Sequence, residues 1–154
     1  EWLSTLNLNL MTAVRASRAA LPAGRGAIVN VCSVNSVLSD PAVMDYSAAK
    51  AAVASFSKAL SKDVGPKGVR VNTVSPGPVA TDLWLGANGV AATVGNATGA
   101  RPEDVASSAA SEMVTGRFSR PEEVADLVLL LASDVTANVT GADIRIDGGL
   151  IPTW

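Results

Sequence analysis

The sequence predicts an α/β domain in which a parallel sheet is flanked by helices, and three observations carry that prediction. Three short runs, Ala27 to Cys32, Val69 to Ser75 and Ala142 to Asp147, are apolar or rich in β-branched residues. They end at Ser33, at Pro76-Gly77 and at Gly148-Gly149. Around them lie stretches whose apolar residues recur at helical spacing. The 154 residues are 48% hydrophobic with 13 glycines, enough for one domain with a sizeable core.

Taken in order, Glu1 to Leu21 reads as a helix, with Leu3, Leu6, Leu10, Val14 and Leu21 on one face and Pro22 as its stop. Asn7 and Asn9 fall inside it, where asparagine is a mediocre helix former. The run from Ala27 to Cys32 follows the glycines of Ala23-Gly24-Arg25-Gly26 and reads as a buried strand. A loop holding Asp40-Pro41 leads to a second helix. It opens near Asp45, read as its N-cap, and runs to about Val64, where Gly65-Pro66 closes it. Val53, Phe56, Leu60 and Val64 form its core stripe, while Ala48, Ala52 and Ala59 give another face that a neighbour can approach closely.

The second strand, Val69 to Ser75, is broken by Pro76-Gly77-Pro78 at the carboxyl edge of the sheet, where open α/β folds bind ligands. Residues 82–116 are long for a connector and read as a lid, with a helical piece after Pro102 that carries Glu103 and Asp104 in its first turn. Trp84 and Leu85 either cover an apolar substrate or anchor that loop. Arg101-Pro102-Glu103-Asp104 and Arg120-Pro121-Glu122-Glu123 are two similar helix starts, not a repeat. Ser119-Arg120-Pro121-Glu122 reads as a capping box, and Val124, Leu127, Val128 and Leu131 as the buried face behind it. The tail from Leu150 to Trp154 is available to a partner subunit.

Composition narrows the function. A net charge of −2 with no basic run, and only three Trp, two Phe and one Tyr, gives no footprint for nucleic acid. No apolar run is long enough to span a bilayer. The single cysteine, Cys32, precludes an internal disulfide, fits a cytoplasmic setting and reads as a small buried hydrophobe. The chain has no histidine, so a Ser-His-Asp site is excluded.

The chemistry concentrates between Ser33 and Lys50. Tyr46 and Lys50, four apart, project from one helix face, beside the strand end that delivers the Ser33 hydroxyl. A free phenol, with a pKa near 10, is a poor acid or base at neutral pH. A nearby ammonium should pull that pKa down. Ser33 can then hold a substrate oxygen while Tyr46 gives or takes its proton. Taken alone, Tyr46 and Lys50 also fit an ordinary surface pair. Ser33, thirteen residues before Tyr46, and the sequence after Lys50 separate the two readings.

Those longer stretches carry a resemblance. Ile28 to Ser33, Tyr46 to Val53, Val71 to Thr81, Gly116 to Ala125, and Val139-Thr140-Gly141 through Asp147-Gly148-Gly149 resemble the short-chain dehydrogenase/reductases, in order and at family spacing. The resemblance covers essentially the whole chain. It implies the second half of a doubly wound, Rossmann-like parallel sheet, making residues 1–154 a single partial domain. It implies NAD or NADP as cofactor and a small-molecule carbonyl or alcohol substrate exchanging hydride. Ser33, Tyr46 and Lys50 become catalytic, with Lys50 also binding the nicotinamide ribose beside Tyr46. Asn9, seven residues after Trp2, becomes the asparagine that helps hold a water connected to the lysine; Asn7 keeps its plain surface reading. Pro76, Gly77, Val79 and Thr81 match the turn that passes the nicotinamide. A homodimer or homotetramer packed through the alanine-faced helix is implied as well, although those alanines also suit packing within one subunit.

No glycine-rich phosphate loop following a strand occurs in the sequence, and the first residue is Glu1. The expectation is therefore a piece of a longer enzyme, with the adenine end of the site and the choice between NAD and NADP outside it. Made alone, the piece should be inactive and should expose the Ala27 to Cys32 edge. The alternative is a truncated or degenerate member that binds no cofactor and serves as an oligomerisation or structural protein.

Overall fold

The computed structural model describes residues 1–153, so Trp154, in the tail read as a partner contact, lies outside the described residues. It divides into two compact units. One comprises Glu1–Ser75 with Asp126–Arg145, the other Pro76–Ala125 with the residues from Ile146 onward.

The first unit is built on a three-stranded sheet in the order β1 (Gly26–Val31), β2 (Val69–Pro76), β3 (Asp143–Ile146). The β1 and β2 strands run parallel, with Gly26 opposite Val69 and Val31 opposite Val74. Cys32 continues that ladder by donating its amide to the Val74 carbonyl at 2.7 Å. The parallel strand order and the crossover helix α3 (Met44–Val64) agree with the α/β class expected. As expected too, β1 lies at an edge of the sheet.

The core forms where these elements meet. Val64, Val69 and Val71 are buried together, with Leu21, Ile28 and Leu60 packed against them. Full burial of one such side chain contributes about 1.5–3 kcal/mol. Side chains alternate across a strand, so Ile28, Asn30 and Cys32 share one face of β1. From that face Asn30 Nδ2 donates to Ser57 Oγ at 2.8 Å, and Cys32 Sγ to the Lys50 carbonyl at 3.1 Å. These bonds fix α3 across the strand.

Polar side chains fasten the other edge of β2. Asn72, only 1% exposed, donates to the Val139 carbonyl at 2.8 Å and accepts from the Ala142 amide at 3.0 Å. Thr73 and Ser75 both donate to Asp143 Oδ1, at 2.5 and 2.6 Å. Arg70 donates to the carbonyls of Leu131, Ser133 and Val139, which satisfies orphan acceptors where helix α7 (Pro121–Ala132) ends.

Several sequence expectations shift here. The first helix is not uniform: α1 (Trp2–Leu6) and α2 (Thr12–Ala20) are joined by a π-helical turn, Asn7–Met11. The end of α3 is as expected, at Val64 with Gly65 as C-cap (φ −54°); Pro66 then continues the chain as a 3₁₀ turn, and Gly68, at φ +82°, makes the reversal. Asp45 is not the N-cap of α3. Val43 holds that position without a side-chain cap, and Asp45 stands in the first turn.

The second unit holds α4 (Asp82–Leu85), α5 (Val90–Thr98) and α6 (Pro102–Ser111), so the segment read as a lid is largely helical. Trp84 stacks edge-on against Phe118, with ring centroids 5.0 Å apart, whereas Leu85 is exposed. Trp84 therefore has the anchoring position. The cap before Pro121 is offset by one residue from the expected box: the Arg120 amide donates to Glu123 Oε2 at 2.8 Å. Glu123 also takes a two-pronged contact from Arg117, at 2.7 and 2.9 Å.

Candidate active site

Ser33 follows the end of β1 and is buried. It serves as N-cap of a short 3₁₀ turn, Val34–Ser36, accepting the Asn35 amide at 3.2 Å. Its hydroxyl also lies beside the phenol of Tyr46, which stands half-buried in the first turn of α3. One turn further on, Lys50 donates from Nζ to the Val31 carbonyl at 3.1 Å, and its ammonium lies 5.5 Å from the centre of the Tyr46 ring. Strand end, hydroxyl, phenol and ammonium are thus brought together as the spacing predicts.

The electrostatics differ from expectation. Burial pushes the Tyr46 phenol above its ordinary value, the Ser33 hydroxyl works against that, and nearby Cys32 adds to the rise. The downward pull expected from Lys50 does not decide the outcome; desolvation of the ring does. Lys50 is displaced the other way: burial lowers its ammonium, with Cys32 opposing. Tyr46 therefore keeps its proton through neutral pH.

Asn9 lies within the π turn, where Nδ2 donates to the Thr5 carbonyl at 3.1 Å. That turn packs against α3, the helix that carries Tyr46 and Lys50. A π turn shifts the backbone hydrogen-bond register by one residue and recurs at functional positions. Asn7 is exposed, and its carbonyl accepts from the Thr12 hydroxyl at 3.3 Å.

Pro76, Gly77, Val79 and Thr81 belong to the second unit. Gly77 donates its amide to the Ile146 carbonyl at 3.0 Å, and a Cβ there would stand 3.0 Å from the Asp147 Cα. Close packing on Asp147 is thus reason enough for glycine at this position. Val79 bridges to Ser119, and the Thr81 amide donates to the Val79 carbonyl at 2.8 Å. This turn leads directly into α4.

Comparison with known proteins decides the family. A family profile described as Enoyl-(Acyl carrier protein) reductase matches residues 1–151. The chain belongs to the short-chain dehydrogenase/reductase family. It is 35% identical over 155 aligned positions to the 3-oxoacyl-(acyl-carrier-protein) reductase FabG of Thermotoga maritima, covering 98% of this chain and 57% of that protein. It is 34% identical to a 3-alpha-(or 20-beta)-hydroxysteroid dehydrogenase of Mycobacterium tuberculosis, covering 98% and 52%. Among solved structures, a short chain dehydrogenase family protein from Francisella tularensis superposes with a TM-score of 0.88 at 30% identity, over 96% of this chain and 61% of that one. L-sorbose reductase from Gluconobacter frateurii, solved with NADPH and L-sorbose, gives the same TM-score and identity over 99% and 59%. The chain spans a little over half the length of these relatives.

Within this short-chain dehydrogenase/reductase chain, sequence reasoning missed two supports of the site. Asn35 contacts Ser33 and reaches Ser47 Oγ at 3.5 Å, bracing the serine turn against α3. Its signal was available, since serine and asparagine two residues apart just beyond a strand commonly form such a turn. Thr5 donates to Asp45 Oδ2 at 2.5 Å across 40 positions, and nothing in the local sequence announces that bond. Among the described residues no cluster of three or more metal-ligating side chains occurs, and no helix is long and apolar enough to cross a membrane.

Proposed function

We propose that this chain carries the catalytic centre of an NAD(P)-dependent oxidoreductase that interconverts a secondary alcohol and a ketone. One observation carries the reading: the Ser33 hydroxyl at the strand end lies beside the half-buried Tyr46 phenol, and the Lys50 ammonium, held on the Val31 carbonyl, stands 5.5 Å from the centre of that ring. Family membership supports it, as do the reductase and dehydrogenase names of the relatives and the NADPH complex of the sorbose reductase.

Ser33 holds the substrate oxygen, and Tyr46 donates its proton to that oxygen as the ketone becomes an alcohol; in reverse, Tyr46 receives the proton. A phenol raised by burial suits the reducing direction at neutral pH. Lys50 commits one of its three donors to the Val31 carbonyl, leaving two for the ribose hydroxyls of a dinucleotide. Its charge also stabilises the phenolate that proton transfer leaves behind. Asn9, on the π turn against α3, supports the return of a proton through water. Tyr46 and Lys50 hold the nicotinamide ribose of NAD or NADP, and the turn of Pro76, Gly77, Val79 and Thr81 has the family's nicotinamide-passing sequence. A dinucleotide bound there supplies or accepts the hydride.

The remaining assignments follow. Ala48 and Ala59, both exposed on α3, give a second copy a close approach, supporting a homodimer or homotetramer. The single buried Cys32 suits a cytoplasmic enzyme.

The test is isotopic. The intact protein is incubated with NADH or NADPH deuterated at the transferring carbon and with ketones of three kinds: a 3-oxoacyl thioester, a ketose and a ketosteroid. Deuterium at the carbinol carbon of one product is the expected result. No label in any product, with either cofactor, would overturn the reading.

A further inference from the structure

We propose that Thr5 is a positioning residue for Tyr46, its hydroxyl fixing the start of α3 through Asp45 and so orienting the phenol. This rests on the reading of Tyr46 as the proton donor.

The bond itself is the first observation. Thr5 Oγ1 donates to Asp45 Oδ2 at 2.5 Å, the short length of a hydroxyl bound to a charged acceptor. The other oxygen, Asp45 Oδ1, accepts the Tyr46 amide at 2.9 Å. One carboxylate therefore joins the first turn of α3 to the neighbouring helix, α1, which packs against α3. The Thr5 bond is also the main influence holding the Asp45 carboxyl below its ordinary value.

The second observation is what this end of α3 lacks. Val43 stands at its N-cap and gives no side-chain hydrogen bond. The first amides of a helix have no intrahelical partner, and an uncapped first turn frays. Tyr46 is the third residue of α3, directly after the 3₁₀ turn Pro41–Val43, so the position of its ring depends on how that first turn is held.

The third observation ties the same residue to the other end of the proposed proton path. The Thr5 carbonyl accepts Asn9 Nδ2 at 3.1 Å. Thr5 stands between the two groups, holding Asn9 through its backbone and Tyr46 through its side chain and Asp45. A purely stabilising contact would have no reason to touch both. The hydroxyl is the decisive part, since a β-branched apolar residue would fill the same volume without holding the carboxylate.

The experiment uses the intact protein with the ketone and cofactor it turns over, and compares Thr5→Val, Thr5→Ser, Asp45→Asn and Tyr46→Phe, together with the Thr5→Val/Tyr46→Phe double variant. Thr5→Val should lower kcat about threefold to tenfold with KM for the cofactor little changed, because a misplaced catalytic group costs turnover before it costs binding. Thr5→Ser should restore kcat to within about twofold, since it keeps the hydroxyl. In the Tyr46→Phe background, Thr5→Val should have no further effect on residual turnover, because it acts through the phenol. If Thr5→Val folds poorly, Asp45→Asn, which keeps both the volume and one acceptor oxygen, reads the same kcat loss. Wild-type kcat in Thr5→Val and Asp45→Asn, with Tyr46→Phe inactive, would overturn the role of Thr5 alone. Wild-type kcat in Tyr46→Phe would instead overturn the reading beneath it.

Discussion

Lys50 donates from its ammonium to the Val31 carbonyl at 3.1 Å, so the cation beside Tyr46 is held by the last residue of β1. Among the described residues no carboxylate makes that contact. The lysine is held in place by a neutral acceptor, and burial brings its deprotonation to lower pH than usual.

The first prediction follows from the opposed displacement of the two groups. As pH rises, Lys50 loses its proton below its ordinary 10.5, while Tyr46 keeps its own above 10.0. We assign the basic limb of kcat/KM for ketone reduction, which reports the free enzyme, to Lys50, the group whose deprotonation burial brings to lower pH. Lys50→Arg should move that limb to higher pH, and Lys50→Met should lower kcat/KM across the range. An unchanged pH profile in Lys50→Arg would contradict the assignment.

A second prediction concerns stability. Asn72 is almost fully buried and serves the Val139 carbonyl and the Ala142 amide together. Asn72→Ala leaves both groups without that partner, each costing roughly 1–3 kcal/mol when buried. Denaturant titration should show a loss of about 2–5 kcal/mol, without a role in chemistry being needed. A loss below about 0.5 kcal/mol, the range of ordinary surface substitutions, would show that water takes over both bonds.

A third prediction is made for acid. Glu123 is held down to about 2 by the Arg117 contact first and the Arg120 amide second. A carboxylate lower in the folded than in the unfolded chain adds stability that is complete above its ordinary 4.5 and lost as pH falls through about 2. The wild type should therefore lose its advantage over Glu123→Gln across that window, by a small amount because the pair is solvent-screened. A constant difference between the two proteins down to the bottom of the window would contradict this.

Much of the site was legible because its signals are short-range. The family resemblance marks these residues as a site, while the positions of Ser33 at the end of a β-branched run and of Tyr46 and Lys50 four apart on a helix are legible from periodicity. So are the strands that deliver them, to within a residue or two. What stayed illegible depends on contacts between distant segments or on a one-residue choice of hydrogen-bond register. The π turn at Asn7–Met11 differs from an α-helix by one register step and leaves no mark in the sequence. Asp45 looked like an N-cap because aspartate at a helix start usually is one, yet its carboxylate is drawn to Thr5. Ser119 and Glu122 have the spacing of a capping box, yet Glu123, which is also held by Arg117, takes the Arg120 amide instead. The direction of the Tyr46 displacement depends on how deeply the ring is buried, which spacing cannot give.

The central claim is that Tyr46 is the proton donor of an alcohol–ketone oxidoreductase, and turnover of Tyr46→Phe tests it most directly. The intact wild type and the variant are compared for NADPH- or NADH-dependent reduction of the preferred ketone, with circular dichroism confirming equal folding. Removal of one oxygen atom should lower kcat by about 10²–10⁴-fold, the usual contribution of a positioned acid. A properly folded variant that reduces the ketone at the wild-type rate would show that the proton comes from elsewhere.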